Sequence, residues 1–141
     1  MEVRPATAAD VEVLRGLWDA SIDETTFTPY PGAPFDPALV TDQLALVAED
    51  DGRIVGTAYA NLVTSEYGFV FGVYVRPDAR RRGIARTLMR AIATELRNRG
   101  RAYVVLSVDT PNAGARALYE RLGFVDAARI LRARVDQLAD G

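Results

Sequence analysis

The chain has 141 residues, the length of one domain, and its 49% hydrophobic and 26% charged residues are typical of a globular protein. No apolar run reaches the length of a membrane span, and residues 1–20 lack the layout of a signal peptide. We therefore expect a single domain over residues 1–141, in the cytoplasm and without a membrane partner.

Several residue types are absent. All 17 basic residues are arginine, and the chain has no lysine, histidine or cysteine. This excludes a Walker-type phosphate loop, which needs a lysine, and the Ser–His and Cys–His pairs of nucleophilic catalysis. A transition-metal site would have only oxygen ligands, so we expect no metal. Proton transfer must use carboxylates, tyrosines, water or a terminal amine.

The net charge of −2 conceals a strong asymmetry. Residues 76–101 contain nine arginines and two acids (net +7), whereas the remainder contains eight arginines and 17 acids (net −9). A protein that binds duplex nucleic acid is more often basic throughout. The pattern therefore favours a compact polyanion as the ligand of the basic region, and we expect no nucleic-acid partner.

The first elements in the chain are a strand at Glu2–Arg4 and a helix that ends near Ser21. Thr7 or Asp10 is a suitable N-cap for this helix. The segment Asp23–Pro37 follows, with four prolines and three aromatic residues, and this composition predicts a long irregular connection. Connections of this length are often functional in small domains.

A short helix at Pro37–Gln43 precedes the clearest local signal in the chain. Two β-rich runs flank Asp51 and Gly52, a pair that favours a tight hairpin turn with positive φ angles. The apolar segment 66–77 predicts a third strand of this group, covered on both faces. Its Gly72 indicates a bulge or a close approach of backbones.

The second half of the chain alternates helices and strands. After Gly83, apolar residues recur every four positions up to the stop at Gly100 and predict a helix. A buried strand at Ala102–Val108 and a helix at Asn112–Gly123 follow. For the tail Val125–Gly141, whose periodicity is mixed, we expect one or two final strands.

This order of elements predicts an α/β domain with a mixed, mostly antiparallel sheet flanked by helices. The helix between the fourth and fifth strands forms a crossover connection, which is right-handed in nearly all proteins. The crossover predicts that strands four and five are parallel.

The run Arg80–Arg82 stands at the beginning of a helix, where the helix dipole disfavours cations. The first amides of a helix lack internal partners and point outward, and Gly83 allows a ligand to approach the backbone closely. These features together suit a diphosphate. The alternative is a solvated arginine run beside a helix, and spacing alone does not separate the two.

Two segments resemble the GNAT-type N-acetyltransferases. "VYVRPDARRRGIARTLM" resembles the acetyl-CoA-binding segment of that family, whose pattern Arg/Gln-x-x-Gly-x-Gly/Ala is matched by Arg80, Gly83 and Ala85. Further on, "NAGARALYERLGF" resembles a second family segment, matched by Asn112, Ala115, Tyr119, Gly123 and Phe124. The resemblance covers roughly residues 2–128. It implies a GNAT-like fold in which strands four and five splay apart.

The resemblance also implies acetyl-CoA as cosubstrate, with its pyrophosphate on the amides of residues 81–86 and its pantetheine arm between the splayed strands. The arm is expected to pair with the strand backbone, as an added strand would. Arg81 departs from the family pattern, which often has glycine there. The cofactor-binding residues implied in this way are Val73, Val75, Arg80, Arg81, Arg82, Gly83, Ile84, Ala85, Arg86, Asn112, Ala115 and Tyr119.

By the same resemblance, Tyr119 is the general acid that protonates the departing thiolate of CoA. The alternative is a core tyrosine with a satisfied hydroxyl. Asn112 is expected to be a helix N-cap in addition to contacting the pantetheine arm.

The general base is the missing component, since an alkylammonium with a pKa near 10 must lose a proton before it attacks a thioester. Many relatives have a glutamate on the strand before the phosphate loop, but Phe69–Val75 contains no acid. The candidates are Glu66, Asp109, and Asp23 or Glu24. A water chain or an amine that arrives neutral would serve equally well.

Substrate selection is expected at the proline-rich connection. Asp23 and Glu24 could attract a cation, and Phe27 and Tyr30 could line an apolar slot. The alternative is that these aromatic residues only anchor the connection to the domain.

The function expected from these observations is transfer of an acetyl group to a small-molecule or peptide amine in a ternary complex. The chain has no cysteine to form an acyl-enzyme, and a backbone amide near Val73 would hold the oxyanion. The alternative is a regulatory module that binds acyl-CoA without turnover. The sequence leaves the oligomeric state open, with a homodimer among the options.

Overall fold

The computed structural model describes residues 1–24 and 33–141, and its centre is a five-stranded sheet in the order β1-β2-β3-β4-β5. The strands are β1 (Glu2–Pro5), β2 (Leu44–Asp50), β3 (Arg53–Asn61), β4 (Tyr67–Val75) and β5 (Tyr103–Leu106). The helices are α1 (Val11–Glu24), α2 (Ala38–Thr41), α3 (Ile84–Asn98), α4 (Ala113–Arg121) and α5 (Val135–Asp140). None of the helices in these ranges is both long and apolar enough to cross a membrane.

The sheet is mixed, as the order of elements predicts. Strands β1 to β4 are antiparallel neighbours, and β5 pairs parallel to β4 after the α3 crossover. The β2–β3 turn is the predicted tight hairpin, since Asp51 (φ 49°) and Gly52 (φ 74°) both have left-handed backbones. The expected α/β fold class is therefore confirmed.

Helices cover both faces of the sheet, which explains why β3 is buried along nearly its whole length. On one face α3 contributes an apolar stripe of Ile84, Leu88, Met89, Ile92 and Leu96. On the other face α1 packs Leu14 and Leu17 against Tyr59 and Tyr74. Full burial of one such leucine stabilises the fold by roughly 1.5–3 kcal/mol, so these two stripes fix both helices on the sheet.

Several elements differ from the sequence-based expectations. The first helix continues to Glu24 rather than ending near Ser21, and the fifth strand covers only Tyr103–Leu106. The prediction of strands in the tail is wrong, because residues 124–134 have no regular structure and α5 follows. The tail lacks the strict alternation that a half-buried strand needs, and it exposes Val125 and Leu131.

A bulge in β4 separates the far halves of β4 and β5. Thr57 pairs with Tyr74 and Tyr59 pairs with Phe71, so β4 has one more residue than β3 in this interval. Gly72 lies within the bulge at φ 61°, and its carbonyl accepts a hydrogen bond from the Thr57 hydroxyl at 3.1 Å. The predicted role of Gly72 is confirmed, and a buried hydroxyl satisfies the displaced carbonyl.

Replacing Gly72 with alanine should destabilise the protein by roughly 2–4 kcal/mol, from the left-handed backbone and from overpacking. The new Cβ would lie 2.6 Å from Cδ2 of the buried Tyr59 ring. Urea unfolding measures the loss. Gly16→Ala is the matched control, because no atom lies within 4 Å of its Cβ position in α1. That change should stabilise by roughly 0.5–1 kcal/mol, and similar effects of the two changes would contradict the assignment.

Candidate functional site

The candidate site is an open groove of about 1080 Å³, formed where β4 and β5 part. The two strands pair only up to Val70 and Leu106, and the next residues of β4 have no partner on β5. One wall is the segment 70–75 of β4, and the opposite wall is made by residues 106–109 and α4. Backbone groups of β4 are thus available along the groove, because the bulge ends the ladder early.

One end of the groove is the beginning of α3. Gly83 is the N-cap of this helix in a left-handed conformation (φ 75°), and no side chain of the described residues caps the first turn. The outward amides of that turn therefore face the groove together with Ile84, Ala85 and Arg86. A Cβ at Gly83 would meet no atom within 4 Å, so open space surrounds the cap. This end of the groove is a cradle that suits an anion.

Arg81 is one of two non-glycine residues with positive φ among those that the structure describes. Its φ of 64° lies in the left-handed region that favours glycine. The family often has glycine at this position, and the backbone here keeps the conformation that glycine adopts most easily. Its side chain is exposed and lines the groove. Within residues 1–24 and 33–141, neither Arg81 nor Arg86 forms an ion pair.

The other two arginines of the run bind acids that are distant in sequence. Arg82 Nη2 lies 2.8 Å from Asp50 Oδ2, and Arg80 Nη2 lies 2.6 Å from Glu24 Oε2. Arg80 also donates from Nε to the Val75 carbonyl at 2.9 Å. These bonds offset the repulsion among the arginines and attach the arginine run to the β2–β3 hairpin and to α1.

Glu24 ends α1 and faces the groove. The Tyr74 hydroxyl donates to Glu24 Oε1 at 2.8 Å, while Arg80 binds the other carboxylate oxygen. The bond from Arg80, and then that from Tyr74, lowers the pKa of Glu24. Burial and the bond to Glu24 raise the pKa of Tyr74. At neutral pH the pair is therefore a carboxylate held by a protonated phenol.

The α4 wall carries the second motif. Asn112 is the N-cap, and its Oδ1 accepts a hydrogen bond from the Ala115 amide at 3.2 Å, as predicted. Tyr119 also lines the groove, with its ring 5.5 Å from that of Phe124. Burial raises the pKa of Tyr119, so its hydroxyl keeps its proton at neutral pH.

The structure brings together some of the predicted catalytic and substrate residues but not all. Asp109 is exposed and lines the groove just after β5. Glu66 precedes β4 at the end opposite the groove, and its carbonyl accepts bonds from the amides before and within β5. Asp23 is exposed and does not line the groove. Phe27 and Tyr30 lie outside the described residues.

Tyr74 and Trp18 line the groove, although neither was among the site residues predicted from the sequence. Trp18 packs edge-on against Tyr59 and Phe71 and donates from Nε1 to the Ala33 carbonyl at 2.8 Å. Periodicity places Trp18 on the core-facing side of α1, and the structure agrees. Trp18 is also part of the groove wall. In the part of the chain that the structure describes, no cluster of acids could hold a metal ion.

Comparison with known proteins identifies one family. The model of the acetyltransferase (GNAT) family matches residues 13–124. Among curated proteins, the [ribosomal protein bS18]-alanine N-acetyltransferase of Salmonella typhimurium is 40% identical over 84 residues, which are 60% of this chain and 55% of the relative. A mycothiol acetyltransferase of Thermomonospora curvata is 39% identical over 90 residues, 64% of this chain and 29% of the relative. The chain thus matches about half, or less, of these relatives' length.

Among solved structures, a ribosomal-protein-alanine N-acetyltransferase from Brucella melitensis has the same fold. The TM-score is 0.76 at 25% identity, and the alignment covers 91% of this chain and 86% of that protein. The agreement extends over nearly the whole chain, so the fold described above is that of the solved protein.

The left-handed backbone at Arg81 predicts a difference between two substitutions. Arg81→Gly should be more stable than Arg81→Ala by about 1 kcal/mol, because only glycine adopts this conformation without strain. Thermal unfolding of the two variants measures the difference, and both variants lose the same charge. At Arg90, inside α3, the order should reverse, with glycine less stable than alanine by roughly 0.5–1 kcal/mol. The same order at both positions would contradict the assignment.

Proposed function

The chain belongs to the acetyltransferase (GNAT) family, and we propose that it transfers an acetyl group from acetyl-CoA to a primary amine in a ternary complex. The observation that carries the proposal is the groove, which joins a cationic cradle of helix amides to an unpaired strand edge and to Tyr119. We take residues 1–141 as one acetyltransferase domain. The acceptor is proposed only as a small-molecule or peptide amine, since the relatives are named for different acceptors.

The residues of the groove fit the cofactor from end to end. The amides of residues 81–86 and the side chains of Arg81 and Arg86, which line the groove, would hold the diphosphate, because the cradle is open and uncapped. Arg82 is paired with Asp50 and does not line the groove. The backbone of Val73 and Val75 would pair with the pantetheine arm, because β4 has no β5 partner there. The groove is large enough for a ligand of this class.

Acetyl-CoA, when bound, would supply a thioester whose carbonyl carbon accepts the amine nitrogen and whose sulfur leaves as the CoA thiolate. The chain contributes proton transfer and orientation. Tyr119 holds a phenolic proton that it can donate to the leaving sulfur, since burial keeps its hydroxyl neutral. Asn112 and Ala115 fix the start of α4 and place a small side chain along the wall, which leaves room for the arm. A backbone amide near Val73 would hold the oxyanion.

For the general base we propose Asp109, acting directly or through water. Asp109 is the groove-lining acid that forms no ion pair within the described residues, whereas Glu24 is bound by Arg80 and Tyr74. Glu66 is left out of the proposal because it lies at the other end of β4.

The cradle predicts a difference between whole CoA and its pantetheine fragment. Arg81→Ala and Arg86→Ala should each weaken CoA binding about tenfold, because a hydrogen bond to a charged group contributes about 1.5 kcal/mol. Binding of pantetheine, which lacks the diphosphate, should stay unchanged. Titration calorimetry measures both ligands. Arg90→Ala is the control, since Arg90 is an exposed α3 residue outside the groove. Equal losses for both ligands would contradict the assigned phosphate site.

The activity itself is tested by release of CoA with a panel of amines, namely peptides that begin with alanine, amino acids, polyamines and aminoglycosides. The chain has no cysteine, so a thiol reagent detects CoA without background from the protein. Tyr119→Phe should lower kcat about 100-fold and leave the KM for acetyl-CoA within about threefold, because only proton donation is lost. Tyr103→Phe, an exposed tyrosine outside the groove, should change neither.

Binding of CoA without release across the whole panel would contradict catalysis. That result would instead indicate the alternative function, a regulatory module that binds acyl-CoA.

A further inference from the structure

Arg80 makes two contacts that compete with the proposed cofactor, one through its charge and one through the strand edge. Its guanidinium binds the Glu24 carboxylate at 2.6 Å, although it stands beside the cradle for the diphosphate. Its Nε donates to the Val75 carbonyl at 2.9 Å, on the strand edge proposed for the pantetheine arm. The Arg80 side chain also lies over the Tyr74 ring, 5.5 Å from its centroid. Arg80 is therefore folded back along the groove, away from the position expected from the family resemblance.

We propose that the Arg80–Glu24 pair is a latch that acetyl-CoA opens, after which the released Glu24 carboxylate binds the ammonium group of the acceptor. This inference rests on the proposed function and adds to it an order of binding and a recognition residue. Arg80 leaves the Glu24 carboxylate and binds the diphosphate of acetyl-CoA. Glu24 in turn binds the ammonium group of the acceptor in place of Arg80. Each charge is paired before and after the exchange.

The exchange is favourable because the existing pair is weak. The side chains of Arg80 and Glu24 are 45% and 42% exposed, and ion pairs at such exposure contribute little to stability. A diphosphate has more negative charge than one carboxylate and accepts bidentate bonds from a guanidinium. Binding at the cradle, where helix amides add to the attraction, should therefore draw Arg80 away from Glu24.

The released Glu24 carboxylate stays in place but is no longer neutralised by Arg80, so it can bind another cation. Tyr74 continues to donate to Glu24 Oε1 at 2.8 Å, which orients the carboxylate toward the groove. The nearby diphosphate repels this carboxylate, and an ammonium relieves the repulsion. Trp18 and Ile22, on the same helix as Glu24, and Phe71 of β4 also line the groove. We therefore infer an acceptor whose protonated amine is attached to an apolar group.

The first test is the affinity for CoA. Glu24→Gln keeps the shape of the side chain and removes the charge that holds Arg80, so CoA should bind about fivefold more tightly. Glu12→Gln is the matched control: it is the same substitution on α1, at an acid outside the groove that lies 3.8 Å from Arg15. Its Kd should equal that of the wild type. Unchanged or weaker CoA binding by Glu24→Gln, in a variant with a wild-type melting temperature, would overturn the latch.

The second test is cation binding. In the wild-type protein, saturating CoA should tighten the binding of L-phenylalaninamide or spermidine at least fivefold, and Glu24→Gln should abolish this gain. N-acetyl-L-phenylalaninamide, which lacks the ammonium, should show no gain in either protein. Fluorescence of Trp18, the sole tryptophan, gives a readout independent of turnover. If CoA increases the affinity for neither cation in the wild type, the role of Glu24 is overturned.

The two levels of the proposal fail differently. A wild-type protein that binds no CoA contradicts the proposed function and the latch with it. Only the latch is contradicted if the protein binds CoA and releases CoA from acetyl-CoA in the presence of amines, but Glu24→Gln changes neither test.

Discussion

The hydroxyl of Thr57 donates to the carbonyl of Gly72, and this bond holds β4 in the bend that separates it from β5. An unbroken parallel ladder would pair the whole of β4 and leave no open edge. The bulge needs a residue without a side chain, since a Cβ at Gly72 would collide with the buried ring of Tyr59. It also needs a buried hydroxyl, because an unsatisfied carbonyl in the core costs free energy. The groove therefore depends on three neighbouring residues, Thr57 and Tyr59 of β3 and Gly72 of β4.

The charge distribution of the chain has a structural counterpart. A helix N-terminus is an unfavourable place for cations, yet Arg80, Arg81 and Arg82 directly precede the N-cap of α3. Glu24 and Asp50, supplied by α1 and β2, neutralise two of the three. Two of the acids outside the basic region are thus ion-paired with the arginine run. Binding of an anion at the cradle would then redistribute ion pairs that already exist.

Local rules account for the parts of the fold that the sequence predicted. The hairpin turn, the Gly83 start of α3 and the Asn112 cap each depend on a few adjacent residues, so each was readable in the sequence. The contact of Arg80 with Glu24 joins residues 56 positions apart and depends on how α1 lies across β4. No local pattern encodes it. The prediction for the tail was wrong because the tail sequence lacks a clear period, and among residues 1–24 and 33–141 no strand pairs with the outer edge of β5.

The glycine motif at the cradle contains one residue whose role the sequence predicted and one whose backbone conformation it did not. Gly83 was expected to allow a ligand to approach the backbone closely, and the structure gives it a left-handed backbone at φ 75°. Arg81 has the same backbone conformation, although its side chain gives no reason to expect it. The family resemblance marked this position as a departure, and the structure gives its conformational basis. The family pattern thus identified Arg81 as unusual, but it did not predict the left-handed backbone at that residue.

The cations of the groove are all guanidinium groups, and this has a chemical consequence. A guanidinium stays protonated at any pH at which the protein folds and has no nitrogen lone pair free for attack. A lysine in the same place would be a primary amine held beside an activated acyl carbon. Because the chain has no lysine, histidine or cysteine, its side chains offer no amine, imidazole or thiol that could intercept that carbon. An acyl donor held in the groove would therefore not be consumed by a side chain of these three types.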